Sequence, residues 1–358
     1  MPSSLLYIPP PKPDPGPGLR RSLLLLLAIA AATGLASAPR IDAAVPSAAA
    51  SLVWPPPPKP PLIAFVQTLS RPADFGLKAS FFSKLGRWIS GADVTKIPFS
   101  KPFGIALDEN DNLCLADTGQ GIVWFFNRKD KKFARWEKIG TQRFATPVAV
   151  AKTRGVIYVA DTGLGSVLAF DEKGNLRHQI TNHLSRPAGL AIHKDNLLVT
   201  DSQRHCVVVF DLQGRFKSEF GTRGNGSGQF NFPTHIASGP NGRLYVTDSL
   251  NARVQVLDDK GASLGQIGGV GDAPGQFSRP KGVALDSFGN VYVLDAVFDN
   301  LQLFQPSGPL LLEMGTTGDA PGQFWLPSGI AISSKNEIFV ADTYNHRIQM
   351  LKYVGKAP

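Results

Sequence analysis

The chain has 358 residues, 43% of them apolar, with a formal charge of +9 and a pI near 9.5. That length gives one large domain with appendages. The charge excludes little by itself, because it is unevenly spread: residues 1–100 hold ten Lys/Arg and four Asp/Glu, which leaves 27 against 24 in the rest. A domain so close to neutral is not expected to bind nucleic acid.

The chain begins with a Pro-rich stretch that ends on Arg20–Arg21, followed by an apolar run, Leu23 to Leu35, and then Ala36–Ser37–Ala38. A basic flank, an apolar core and an A-x-A tripeptide read as an export signal over residues 1–44. The arginine pair before Ser22–Leu23–Leu24 resembles a twin-arginine signal, which implies export of an already folded protein. Pro39 would follow a cut at Ala38, so cleavage near Ala44 and an uncleaved membrane anchor both stay open. No Cys lies near the run, which excludes lipid attachment there. The expected place is periplasmic or extracellular, with membrane contact through the N-terminal segment alone.

Residues 45–61 are rich in Ala, Pro and Ser, with Pro55 to Pro58 in a row, and read as an extended linker. Leu62 to Leu69 is an isolated strand, stopped by Ser70–Arg71–Pro72. From Leu77 to Ser90, Phe81, Phe82, Leu85, Trp88 and Ile89 fall within an arc of about 120° on a helix. This predicts a short amphipathic helix that caps the following domain; Lys84, Arg87 and Trp88 together also suit a membrane surface. Strand and helix make up a segment over 62–100.

Residues 101–353 repeat themselves. An Asp recurs at Asp117, Asp161, Asp201, Asp248, Asp295 and Asp342, in steps of 44, 40, 47, 47 and 47. A proline lies 14 or 15 residues before each: Pro102, Pro147, Pro187, Pro233, Pro280 and Pro327. Each unit holds short apolar runs bounded by turn residues, and periods of this length with about four strands each mean propeller blades. The fold class is all-β: a six-bladed β-propeller of four-stranded antiparallel blades. The last repeat lacks a fourth strand, so Leu62 to Leu69 is expected to close the ring as its outer strand.

The motif P-x-G-(I/V)-A … (I/L)-(Y/F)-V-(A/T)-D-(T/S)-x-N-x-R-(I/V)-Q resembles the NHL repeat, with Pro233–Leu257 and Pro327–Leu351 the best matches. The polar half survives only in part. Five residues after the Asp stand Ile122, Ser166, Cys206, Arg253, Asn300 and Arg347. The recurrent Asp reads as structural, its carboxylate accepting backbone N–H groups from the turn that follows. Three glycine-rich connections, Gly221–Pro233, Gly268–Pro280 and Gly315–Pro327, each contain Gly-Gln-Phe. They lead into strands rather than helices, which argues against a phosphate loop. Their glycines allow tight crossings, and Phe230, Phe277 and Phe324 plug the seams between blades.

Cys114 and Cys206 fall in blades one and three, too far apart for a disulfide. Some six-bladed relatives, the peptidyl-hydroxyglycine amidating lyases, hold zinc with channel histidines, and lactonase-like propellers hold calcium with acidic residues. Zinc needs about three converging ligands, and only His235 is placed for the channel. It stands second after its proline, where the other blades have Gly104, Ala149, Gly189, Gly282 and Gly329. Asp108 and Asp286 match turn positions. No cofactor is predicted, while a calcium or zinc ion in the channel stays open.

The resulting reading is a non-catalytic, monomeric binding propeller that recognises a protein or acidic ligand through one face. That face should collect His235, Lys281, Arg279, Arg186 and Lys101 from the strand beginnings, with Arg204, Phe298 and Tyr344 from the loops after the Asp. The alternatives are a metal-dependent lyase or hydrolase at the channel, and an RNA-binding face of the kind cytoplasmic NHL regulators carry.

Overall fold

The computed structural model describes residues 52–76, 78–79, 94–240 and 242–356. The export segment lies outside these residues, as does most of the predicted helix. Of Leu77–Ser90 only Lys78–Ala79 is described, as a short strand parallel to Lys132–Phe133. Among the described residues no helix is long and apolar enough to cross a membrane.

Short runs rich in β-branched and aromatic residues, such as Ile122–Asn127, build the strands. Blades one to five each have four antiparallel strands in sequence order, beginning with Pro102–Leu107, Pro147–Thr153, Pro187–His193, Pro233–Ser238 and Pro280–Leu285. The first strands touch one another in an unbroken circle that returns from Ile330–Ile332 to Pro102–Leu107. The second and third strands are buried on both faces, which is why they read as continuous apolar runs without alternation. Outer strands such as Phe216–Phe220 are mostly exposed.

The sixth blade contains Ile330–Ile332, Glu337–Asp342 and Arg347–Tyr353. Its outer strand comes from the other end of the chain: Ile63–Leu69 pairs antiparallel with Arg347–Tyr353, from Ile63 opposite Tyr353 to Leu69 opposite Ile348. Val53–Trp54 then adds a fifth strand against Ile63–Ala64. The C-terminal part of the expected linker is therefore folded into the ring as a hairpin.

Among the described residues the apolar core divides into six clusters, each spanning one seam. One joins Trp124 and Phe126 of blade one to Phe339, Ile348 and Leu69 of blade six. Others centre on Phe230 between blades three and four, and on Phe277 between blades four and five. Phe230, Phe277 and Phe324 are fully buried. Their neighbours Gly221, Gly268 and Gly315 have φ of +94°, +81° and +97°, and a Cβ there would meet the rings at 2.5, 2.2 and 2.7 Å. The seam-plug reading holds.

The six recurrent aspartates are completely buried. Each binds one or two backbone N–H groups of the segment before its proline, and most also bind the turn that follows. Asp161, for example, accepts from Ala145, Thr146 and Leu164. Where the full motif survives, the site grows. Arg347 Nε donates to Asp342 at 2.7 Å while its other nitrogens donate to the carbonyls of Asp319, Ala320 and Gln323 in the glycine-rich connection. Gln349 grips the same connection from both sides, accepting from Gly322 and donating to Gln323. The polar half of the motif thus pins each glycine-rich crossing to the next blade.

Candidate functional site

Backbone packing decides where side chains can enter the ring. A Cβ on Gly104, Gly189 or Gly329 would lie 2.3, 2.4 or 2.2 Å from the carbonyl oxygen of Val148, Thr234 or Phe103 in the next blade. The small residues are therefore required by the adjoining strand. Blade four carries His235 at this place, although its first strand shifts register between Pro233 and Ile236 just as that of blade five, with Gly282, does between Pro280 and Val283.

His235 lines two cavities. One is a mouth of about 250 Å³ at the end of the ring that carries the prolines; the other, of about 260 Å³, is the channel between the first strands. Arg186, Arg279 and Lys281 line the mouth with it, on blades three and five either side of His235. Phe103, Val148, Phe232 and Leu250 give it apolar walls. The ring nitrogens of His235 are closed off from water and have no hydrogen-bond partner among the described residues. Burial, and then the charge of Lys281, push its pKa down to about 3, so the imidazole is neutral at physiological pH.

Lys281 touches water in the cavity yet sits deep among protein atoms. Burial, then Arg279 and Arg186, pull its pKa down to about 8, against a smaller opposing effect of Asp295. Asp295 is already committed, accepting from the backbone of Ser278, Arg279, Val297 and Phe298. Asp201 is held likewise by Ser185, Arg186, Gln203 and Arg204. Among the described residues no carboxylate pairs with the side chains of Arg186, Arg279 or Lys281.

The other predicted residues lie elsewhere. Lys101 places its ammonium 5.1 Å from the Tyr344 ring centre, and Tyr344 packs against Trp325, forming a separate cluster at the seam of blades six and one. Arg204 is not a free surface cation: it binds the His183 carbonyl and pairs with Glu219 at 2.8 Å. Phe298 is half-buried and does not line the mouth. Sequence reasoning missed Phe103, Val148, Ala188 and Thr234, which line the mouth from the position directly after the proline. Lys281 holds that same position, so following it round the repeats would have found them.

Among the described residues no three His, Cys, Asp or Glu converge as metal ligands. The donor set around His235 is cationic, which does not fit a zinc or calcium ion. Asp108 binds the backbone of Asn110 and Asn112 and the ammonium of Lys152, and Asp286 binds Phe288, Asn290 and the Tyr292 hydroxyl. Cys114 and Cys206 are buried and free; burial pushes the first thiol up strongly and the second up to about 11.

Comparison with known proteins agrees with this architecture. The NHL repeat family matches residues 230–257 and 324–350, and a family described as a 6-bladed beta-propeller matches 181–239. The chain carries NHL repeats in a propeller of six blades. Protein brain tumor of Drosophila melanogaster is 35% identical over 69 residues, which cover 19% of this chain and 6% of that protein's length. Virginiamycin B lyase from Staphylococcus aureus superposes with a TM-score of 0.53 at 15% identity, over 71% of this chain and 96% of the lyase. An auxiliary nutrient binding protein from Bacteroides thetaiotaomicron superposes with a TM-score of 0.57 at 13% identity, over 72% and 70% of the two chains. At such identities the likeness is one of fold.

Proposed function

We propose that this NHL propeller is an exported, non-catalytic binding protein that takes an acidic partner at the mouth beside His235. The fold alone does not choose between binding and catalysis, since it is shared with a lyase and with a nutrient-binding protein. The observation that carries the reading is the set of three cations, Arg186, Arg279 and Lys281, converging on one concavity without a carboxylate partner among the described residues. Like charges around a partly desolvated cavity raise the free energy of the empty protein. An anionic partner relieves that cost, and the neutral His235 beside the cations has its nitrogens closed off.

Capture of partners from the native envelope fraction tests this. Wild type should retain a partner set that a variant with His235→Gly, Arg279→Ala and Lys281→Ala loses, and higher salt should weaken the wild-type capture. An unchanged set, with folding verified by circular dichroism, would place binding on the opposite face or the blade edges. Export is tested separately with a reporter fusion. Replacing Arg20–Arg21 by lysines should stop twin-arginine transport and leave a general secretory route working; a wholly cytoplasmic reporter would overturn both.

A further inference from the structure

We infer that the mouth seats one compact dianion, a phosphate or dicarboxylate group, between the guanidinium groups of Arg186 and Arg279 and the ammonium of Lys281. This rests on the binding reading above and specifies its ligand chemistry.

Size comes first. A cavity of about 250 Å³ lies below the usual range of about 300–1,000 Å³ for small-molecule sites. It admits a small molecule or a single headgroup, not the surface of a folded domain. Charge comes next. Two guanidinium groups and one ammonium supply three positive charges when Lys281 is protonated, and a dianion leaves one while a monocarboxylate leaves two. Arginine forks match the planar pairs of oxygens in carboxylates and phosphates.

The surroundings favour one bound anion over a chain of surface contacts. Phe103, Phe232 and Leu250 wall the cavity with carbon, which lowers the local dielectric and strengthens each charge interaction. The carboxylates beneath, Asp201 and Asp295, are taken up by backbone amides and do not compete for the cations.

Binding of this kind carries a proton signature. The groups facing Lys281 are Arg279 on its own segment, Arg186 and Asp295 from neighbouring elements, and His235 across the mouth. Over pH 7 to 9 His235 stays neutral, while Lys281 passes through its pKa of about 8 and loses its proton. Its pKa of about 8 in the free protein rises when a dianion arrives, and the complex takes up a proton above that pH. If only the ammonium form binds, affinity at pH 9 falls about tenfold from its value at pH 7.

Isothermal titration of the purified protein with inorganic phosphate, succinate and acetate tests the inference at low salt. Phosphate and succinate should bind at about 1 mM or tighter and compete with each other, with acetate at least about tenfold weaker. Succinate, fully ionised throughout, should lose about tenfold between pH 7 and pH 9. Lys281→Met should weaken succinate about tenfold and abolish its pH dependence, and Arg279→Ala should also weaken it. Arg204→Ala, outside the mouth, should leave binding within about twofold. Circular dichroism confirms folding of each variant. No binding of phosphate or succinate at about 10 mM, or the same pH slope in Lys281→Met, would overturn the inference. Partner capture that depends on Lys281 without any small-anion binding would sink this inference and leave the proposed function standing. Anion binding without partner capture would do the reverse.

Discussion

A protein lacking residues 52–70 is expected to lose its cooperative thermal transition, or to melt far below wild type, whereas one lacking only 1–51 should melt with it. Ile63–Leu69 is the outer strand of the sixth blade, and its removal exposes the full edge of Arg347–Tyr353. Ile63 and Leu69 are both fully buried, and each stabilises the fold by about 1.5–3 kcal/mol. The Trp54 ring, packed over Gly322, leaves with them. Together these approach the whole margin of a typical domain, about 5–15 kcal/mol. A peptide covering 52–70, added in trans, should restore the transition in proportion to its concentration. Coincident melts of the two truncations would show that the ring holds without the strand.

The blades were legible because each repeats two constraints at a fixed spacing. The proline and the buried aspartate are joined physically: the carboxylate binds the amides just before the proline, so neither position can drift without the other. Asp161 with Ala145 and Thr146 shows the link in a blade whose motif has otherwise decayed. The seam plugs were legible for the same reason, since Gly268 and Phe277 must change together.

What was not legible depends on partners distant in sequence. Val53–Trp54 is two residues long and borders a proline run, so it has no periodicity to read; its strand character comes from pairing with Ile63–Ala64. Arg204 reads as a loop cation, and only the fold brings Glu219 on the outer strand to it. The mouth was half visible. Its cations stand out beside prolines, but the apolar residues one place after each proline look like ordinary strand residues until the ring places them round one cavity.

Replacing Asp342 by alanine should destabilise the propeller about twice as much as the same change at Asp161, although both carboxylates are fully buried. Asp161 holds three backbone N–H groups and, among the described residues, no charged partner. Its loss leaves buried amides unsatisfied, a cost of about 1–3 kcal/mol. Asp342 accepts from the Trp325 amide and also carries Asn345, Gln349 and the Nε of Arg347. Arg347 is itself almost wholly buried, at 8% exposure, so the variant would leave a guanidinium with carbonyl partners but no counter-charge. Breaking one side of such a pair costs about 3–5 kcal/mol. The damage should also spread, because Arg347 and Gln349 fix the connection that carries Phe324 into its seam. A second change, Arg347→Met in the Asp342→Ala background, removes the stranded charge and should recover part of the loss. Chemical denaturation of the three variants measures the differences. Equal losses at Asp342 and Asp161, with no recovery in the double variant, would mean that the arginine of the motif adds nothing to the carboxylate's anchoring of the strand lead-in.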